Sequence, residues 1–87
     1  MDDKKIAEAI TQINKQMDML TSDFSVPKNV RSAISEAKEK LNENGDYVIR
    51  ISNAIYSIDN VSNDINLPPH ARTALWNLLN LLESLKK

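Results

Sequence analysis

DFSVPKNVRSAI at residues 23–34 and DINLPPHARTAL at residues 64–75 spell nearly the same phrase twice, 41 positions apart. Each opens on an Asp, places a Pro four residues later, and follows it with an Arg and an Ala: Asp23, Pro27, Arg31 and Ala33 against Asp64, Pro68, Arg72 and Ala74. Asp and Ser side chains bond to nearby backbone groups and favour a turn. Pro suits the first position of a helix, where its missing N–H would have no partner and its φ is preset. Each phrase therefore reads as a turn that launches a helix.

Upstream of the first phrase, Ile6, Ile10, Ile13, Met17 and Leu20 step by four and three, which draws one apolar stripe along a helix. Downstream, Val30, Ile34, Ala37 and Leu41 make a second stripe with Ala33 at its edge, and Gly45 in NENG can take the left-handed conformation beyond its end. Asp46 is placed to cap a third helix whose stripe is Tyr47, Ile51, Ala54, Ile58 and Val61, widened by Val48 and Ile55. YVIRI at its start is β-branched and on its own could be a strand, but the helical period runs on to residue 61 and no second strand exists to pair with it. After the second phrase, Ala71, Ala74, Leu75, Leu78, Leu81, Leu82 and Leu85 form a wide apolar face, and Lys86 and Lys87 complement the helix C-terminal dipole.

Slid on itself by 41 positions, the chain also aligns Ile10 with Ile51, Met17 with Ile58, Asp18 with Asp59 and Leu41 with Leu82. The unit is a helical hairpin with a period close to that of helical-repeat proteins. Two hairpins, about 3–44 and 46–86, predict a single all-α domain over 1–87, an antiparallel up-and-down four-helix bundle built from a duplicated hairpin.

Composition narrows the function. The chain has 87 residues, no Cys, one His, one Gly and a net charge of −1. Disulfides, thiolate metal sites and Cys nucleophiles are excluded, and one Gly cannot make a glycine-rich phosphate loop. His70 has no second ligand at metal-binding spacing, and the carboxylates fall on polar helix faces where no pair is held for acid–base work. No enzyme activity and no cofactor are expected. With no signal peptide and no membrane span in the sequence, the expected location is the cytoplasm.

Words within the chain also carry a resemblance. SVPKNVR with Ala33 and Ala37, Arg50 with Ile51, SNDINLPPHARTALW, and Leu82 with Glu83 resemble, over nearly the whole length, the uncharacterised archaeal protein family 0147. That resemblance implies a small up-and-down four-helix bundle, an archaeal source and no assigned activity. The chain departs from the family pattern at Ile65 and at the double Pro68–Pro69.

Two sets of residues stand out as candidates. Asp23, Pro27 and Arg31, with Asp64, Pro68 and Arg72, are candidate structural turn residues, each Arg reaching back to its own turn or across to the other hairpin. Ile49, Tyr56, Arg72, Trp76 and Leu79 lie off the main stripes of helices three and four. In an antiparallel hairpin Tyr56 comes level with Trp76, giving a candidate protein interface for a second copy or a different protein, with Arg72 stacked on the indole. The competing expectation is that this surface is enclosed in the bundle. An RNA-containing complex met through Lys28, Arg31 and Lys38 is the alternative partner, though Glu36 and Glu39 flank those bases. The copies differ where Ser35 in the first becomes Trp76 in the second, and function is expected at that difference.

Overall fold

The computed structural model describes residues 3–86 and consists of four helices, α1 (Asp3–Thr21), α2 (Lys28–Leu41), α3 (Tyr47–Asp59) and α4 (Pro69–Lys86). No strand occurs among the described residues. Each helix packs on the next in sequence and α4 returns to α1, so the four helices form a closed ring around one core. Short turns force consecutive helices antiparallel. The α1–α2 and α3–α4 turns thus share one end of a bundle measuring 37 × 20 × 18 Å.

The stripes become the core. Ile6, Ile10, Ile13, Met17 and Leu20 are the buried residues of α1, and Val30, Ile34, Ala37 and Leu41 those of α2. Their four-and-three spacing keeps one face inward along each helix. On α3 the buried positions are Ile51, Ala54, Ser57 and Ile58; Tyr47 and Ile55 are half-buried against the core, and Val48 is exposed. The helix ends at Asp59, so Val61, expected on its stripe, packs half-buried against the core from the following turn. One member of the expected leucine face of α4 turns out of the core: Leu81 is 40% exposed, because it lies on the edge nearest α1, where the two helices close least tightly.

Caps and turns set the helix bounds. Asp46 accepts a 2.8 Å hydrogen bond from the Val48 N–H and caps α3 as expected. Pro27 and Pro68 stand one residue before α2 and α4, not inside them. Their carbonyls accept the first helical bonds, from the N–H of Arg31 at 2.9 Å and of Arg72 at 3.0 Å, which is the part a capping residue plays. The second proline, Pro69, takes the first helical position of α4. Gly45 has φ +121°, a conformation that side chains beyond Gly rarely adopt, but it sits in the α2–α3 turn three residues past the Asn42 cap. Lys86 ends α4; Lys87 lies outside the described residues.

Two buried apolar residues carry no helical signal. Val26 and Leu67 occupy equivalent places in the two turns, and both plug the end of the core. Their N–H groups bond the carbonyls of Asp23 and Asp64 at 3.1 and 3.2 Å, which folds each turn inward over the helix ends.

Candidate interaction surface

The shared end of the bundle is held by one scheme written twice. The Asp23 carboxylate accepts from the Ser25 N–H at 2.9 Å, and the Asp64 carboxylate accepts from the Asn66 N–H at 2.8 Å. Each carboxylate then reaches the other hairpin: Asp23 accepts from His70 Nε2 at 2.7 Å, and Asp64 from the Asn29 amide at 2.8 Å. His70 and Asn29 are themselves 41 positions apart, so the two hairpins clasp each other reciprocally. The Ser25 hydroxyl, followed by His70 and the Ser25 amide, holds the Asp23 carboxyl down at about 2. Asn29 and the Asn66 N–H lower that of Asp64.

Both arginines of the turn phrase reach back to their own turns. Arg31 Nε donates to the Val26 carbonyl at 3.1 Å, and Arg72 donates to the Asp64 carbonyl at 3.3 Å. Neither forms an ion pair with its own turn's Asp, whose oxygens are taken by other partners. Arg31 also lies over the Phe24 ring, 5.5 Å from its centroid. Arg72 Nε is buried without a hydrogen-bond partner, as is Arg50 Nε.

On the outer side of the α3–α4 hairpin, Tyr56 is 70% exposed, Trp76 is 52% exposed, and Ile49 is exposed one heptad before Tyr56. At about 100° per residue, Ile49 and Tyr56 lie opposite the buried centre of α3, so no other helix of the bundle can cover them. The structure brings two of the five candidate interface residues to other work. Leu79 is half-buried and packs against the core, and Arg72 is half-buried with its guanidinium drawn to the turn instead of onto the Trp76 indole.

The basic face of α2 is internally compensated. Lys38 pairs with Asp18 at 2.6 Å, Lys40 with Glu36 at 3.8 Å, and Arg31 is engaged by its turn. A phosphate backbone needs free clustered cations, and here one of the three bases in question, Lys28, is neither paired nor turned inward among the described residues. No group of three or more His, Cys, Asp or Glu comes together among the described residues.

The two most exposed large apolar side chains among the described residues escaped the periodicity argument. Phe24 and Ile65 are 88% and 89% exposed, at equivalent positions directly after the two turn aspartates. A stripe search looks for apolar residues on helices and passes over turns. The 41-residue alignment itself held the signal, since it pairs one large apolar residue with another at a place where no helix face can bury them.

Comparisons with known proteins agree with this architecture. The model of an uncharacterised protein family, UPF0147, matches residues 1–85. The chain is 41% identical over 80 residues to a UPF0147 protein of Methanosarcina acetivorans, covering 91% of this chain and 82% of that one. Among solved structures, it superimposes on a crystal structure of a protein of unknown function with a TM-score of 0.87 and 34% identity, over 93% of both chains. A UPF0147 protein from Thermoplasma acidophilum superimposes with a TM-score of 0.85 and 32% identity, over 91% of this chain and 94% of that one.

Proposed function

The chain belongs to that uncharacterised family, UPF0147, and on this premise we propose that it is a non-enzymatic, cytoplasmic protein-interaction module that binds a protein partner through the outer face of α3 and α4. The observation that supports the reading is the exposure of Tyr56 and Trp76 on neighbouring helices, with Ile49 exposed two turns before Tyr56 on the same face of α3. Tyr and Trp are the residues most enriched at binding hot spots, because each adds large contact area while losing little side-chain freedom. Nothing inside the bundle needs them there, since the core is filled by the aliphatic stripes.

The compensated bases on α2 speak for a protein and against RNA as the partner of this chain. A pull-down from native extract tests the reading. Wild type should retain a discrete protein that Trp76→Ala and Tyr56→Ala each release, with helix content unchanged in both variants. Retention of the same protein by both variants would move the binding surface elsewhere, and loss of helix content in Trp76→Ala would return the indole to a structural role.

A further inference from the structure

The two hairpins create two seams of equivalent origin, α2 against α3 and α1 against α4. The turn that joins α2 to α3 holds the first seam closed, whereas α1 and α4 are the least closely packed neighbours in the ring. Along that looser seam the surface opens into a run of cavities. One of about 200 Å³ lies among Ala9, Gln12, Ile13, Leu81, Ser84 and Leu85. Another of about 220 Å³ lies near the turn end among Met19, Leu20, His70 and Ala74, and a wider hollow joins them between Gln16 and Asn80. Met19 at its rim is 74% exposed.

The cavities along this seam are lined almost entirely by uncharged side chains. The exposed edge of α4 facing it carries Asn77, Asn80, Leu81 and Ser84. At the equivalent places 41 positions earlier, α2 carries Glu36, Glu39 and Lys40, and the turn after it carries Glu43. Four charged positions in one copy are therefore uncharged in the other, and one of them is an exposed leucine. On the α1 side the lining is Gln12, Gln16 and Met19, again without charge. Among the described residues that line these three cavities, the titratable side chains are Asp23 and His70, which are bonded to each other at one end.

We propose that the α1/α4 seam is the surface on which a second copy of this chain docks, face to face across a twofold axis. A twofold interface places a patch against itself, so the patch must be its own complement. A charged patch fails that condition because like meets like. Side-chain amides satisfy it, since each carries both donors and an acceptor, and so do Met19 and Leu81. Loss of charge with retained apolar residues is also what distinguishes the centre of an interface from ordinary surface. Size allows it: α1 and α4, with 19 and 18 residues at about 1.5 Å each, offer a face about 28 Å long. Across a bundle about 20 Å wide this reaches roughly 550 Å² in projection, close to the ~600 Å² per partner of the smallest specific interfaces.

The proposal is independent of the α3/α4 surface and is separable from it. Sedimentation or light scattering of the full chain from about 1 to about 500 μM, the range in which small interfaces associate, should show a rise from one chain mass to two. Leu81→Lys and Asn77→Glu each restore the charge type that α2 bears at the equivalent position, on an exposed edge where the helix tolerates it. Each should shift the midpoint at least about tenfold to higher concentration with helix content unchanged, while Trp76→Ala leaves it in place. A wild type that stays at one chain mass throughout overturns the proposal. So does a dimer indifferent to both seam variants, and so does a dimer broken by Trp76→Ala alone, which would put the second copy on the α3/α4 face.

Discussion

Arg31 and Arg72 occupy the same place in the repeated phrase, yet the structure makes them unequal partners in stability. Arg31 Nε supplies the one hydrogen bond that the Val26 carbonyl receives among the described residues, and Val26 is fully buried. Arg31→Met keeps the apolar stem but strands that carbonyl, at about 1–3 kcal/mol, and removes the contact with Phe24, worth ~0.5–1 kcal/mol at an exposed site. A net loss of about 2–3 kcal/mol follows. Arg72 instead makes a long 3.3 Å bond to the Asp64 carbonyl, which also accepts from the Leu67 N–H at 3.2 Å, and its own Nε is buried with no partner. Arg72→Met gives up a weak bond, leaves the carbonyl satisfied and removes an orphaned donor that costs about 1–3 kcal/mol to bury. Stability should stay within about 1 kcal/mol of wild type or rise slightly. For a domain of this size ~1 kcal/mol corresponds to a 4–8 °C change in Tm. Thermal unfolding followed by circular dichroism should therefore separate the two variants by roughly 10 °C or more, with Arg31→Met the lower. Equal losses in the two, or a larger loss for Arg72→Met, would refute the assignment of Arg31 as the essential fastener.

Other outcomes follow from single contacts. Asp46→Ala removes the cap on the Val48 N–H and should cost ~1 kcal/mol in denaturant unfolding. Leu75→Ala, at a fully buried site, should cost about 2–5 kcal/mol, whereas Leu81→Ala at the exposed edge should cost well under half of that. Gly45→Ala meets no atom within 4 Å, so its cost should be backbone strain alone, about 1–2 kcal/mol, visible as an equal shift by any unfolding probe. The Asp23 carboxyl should titrate near 2 by carbon NMR, below its usual 3.8, and Ser25→Ala should move the midpoint upward. Because that carboxyl is depressed in the folded chain, its contribution to stability is fully present above pH 3.8 and is lost as pH falls through about 2.

Legibility in the sequence followed periodicity. The nine stripe residues of α1 and α2 are buried as spaced, because a helix repeats its inward face every three or four residues whatever packs against it. The repeated Asp, Pro and Arg located both turns. Their bonding was less legible: each Asp could have taken its own Arg, but each took a residue from the other hairpin, and a pair across hairpins has no fixed sequence spacing. Trp76, Tyr56 and Ile49 were found by angle alone, whereas Leu79, near the same angle, packs against the core and Arg72 is drawn to the turn.

By itself, then, the sequence determined four helices, their inward faces, and a phrase that folds the same turn twice. Those are consequences of backbone geometry and local hydrogen bonding, which act over a few residues. Which seam closes and which stays open was decided only in three dimensions. α2 and α3 are tied by a short turn and pack tightly, while α1 and α4 come together from distant parts of the chain with no such tie. The uncharged edge of α4 is plainly written at Asn77, Asn80, Leu81 and Ser84. Only the ring of helices shows that this edge borders the open seam, because a residue's neighbours across a bundle depend on how the helices close and not on its own place in the chain.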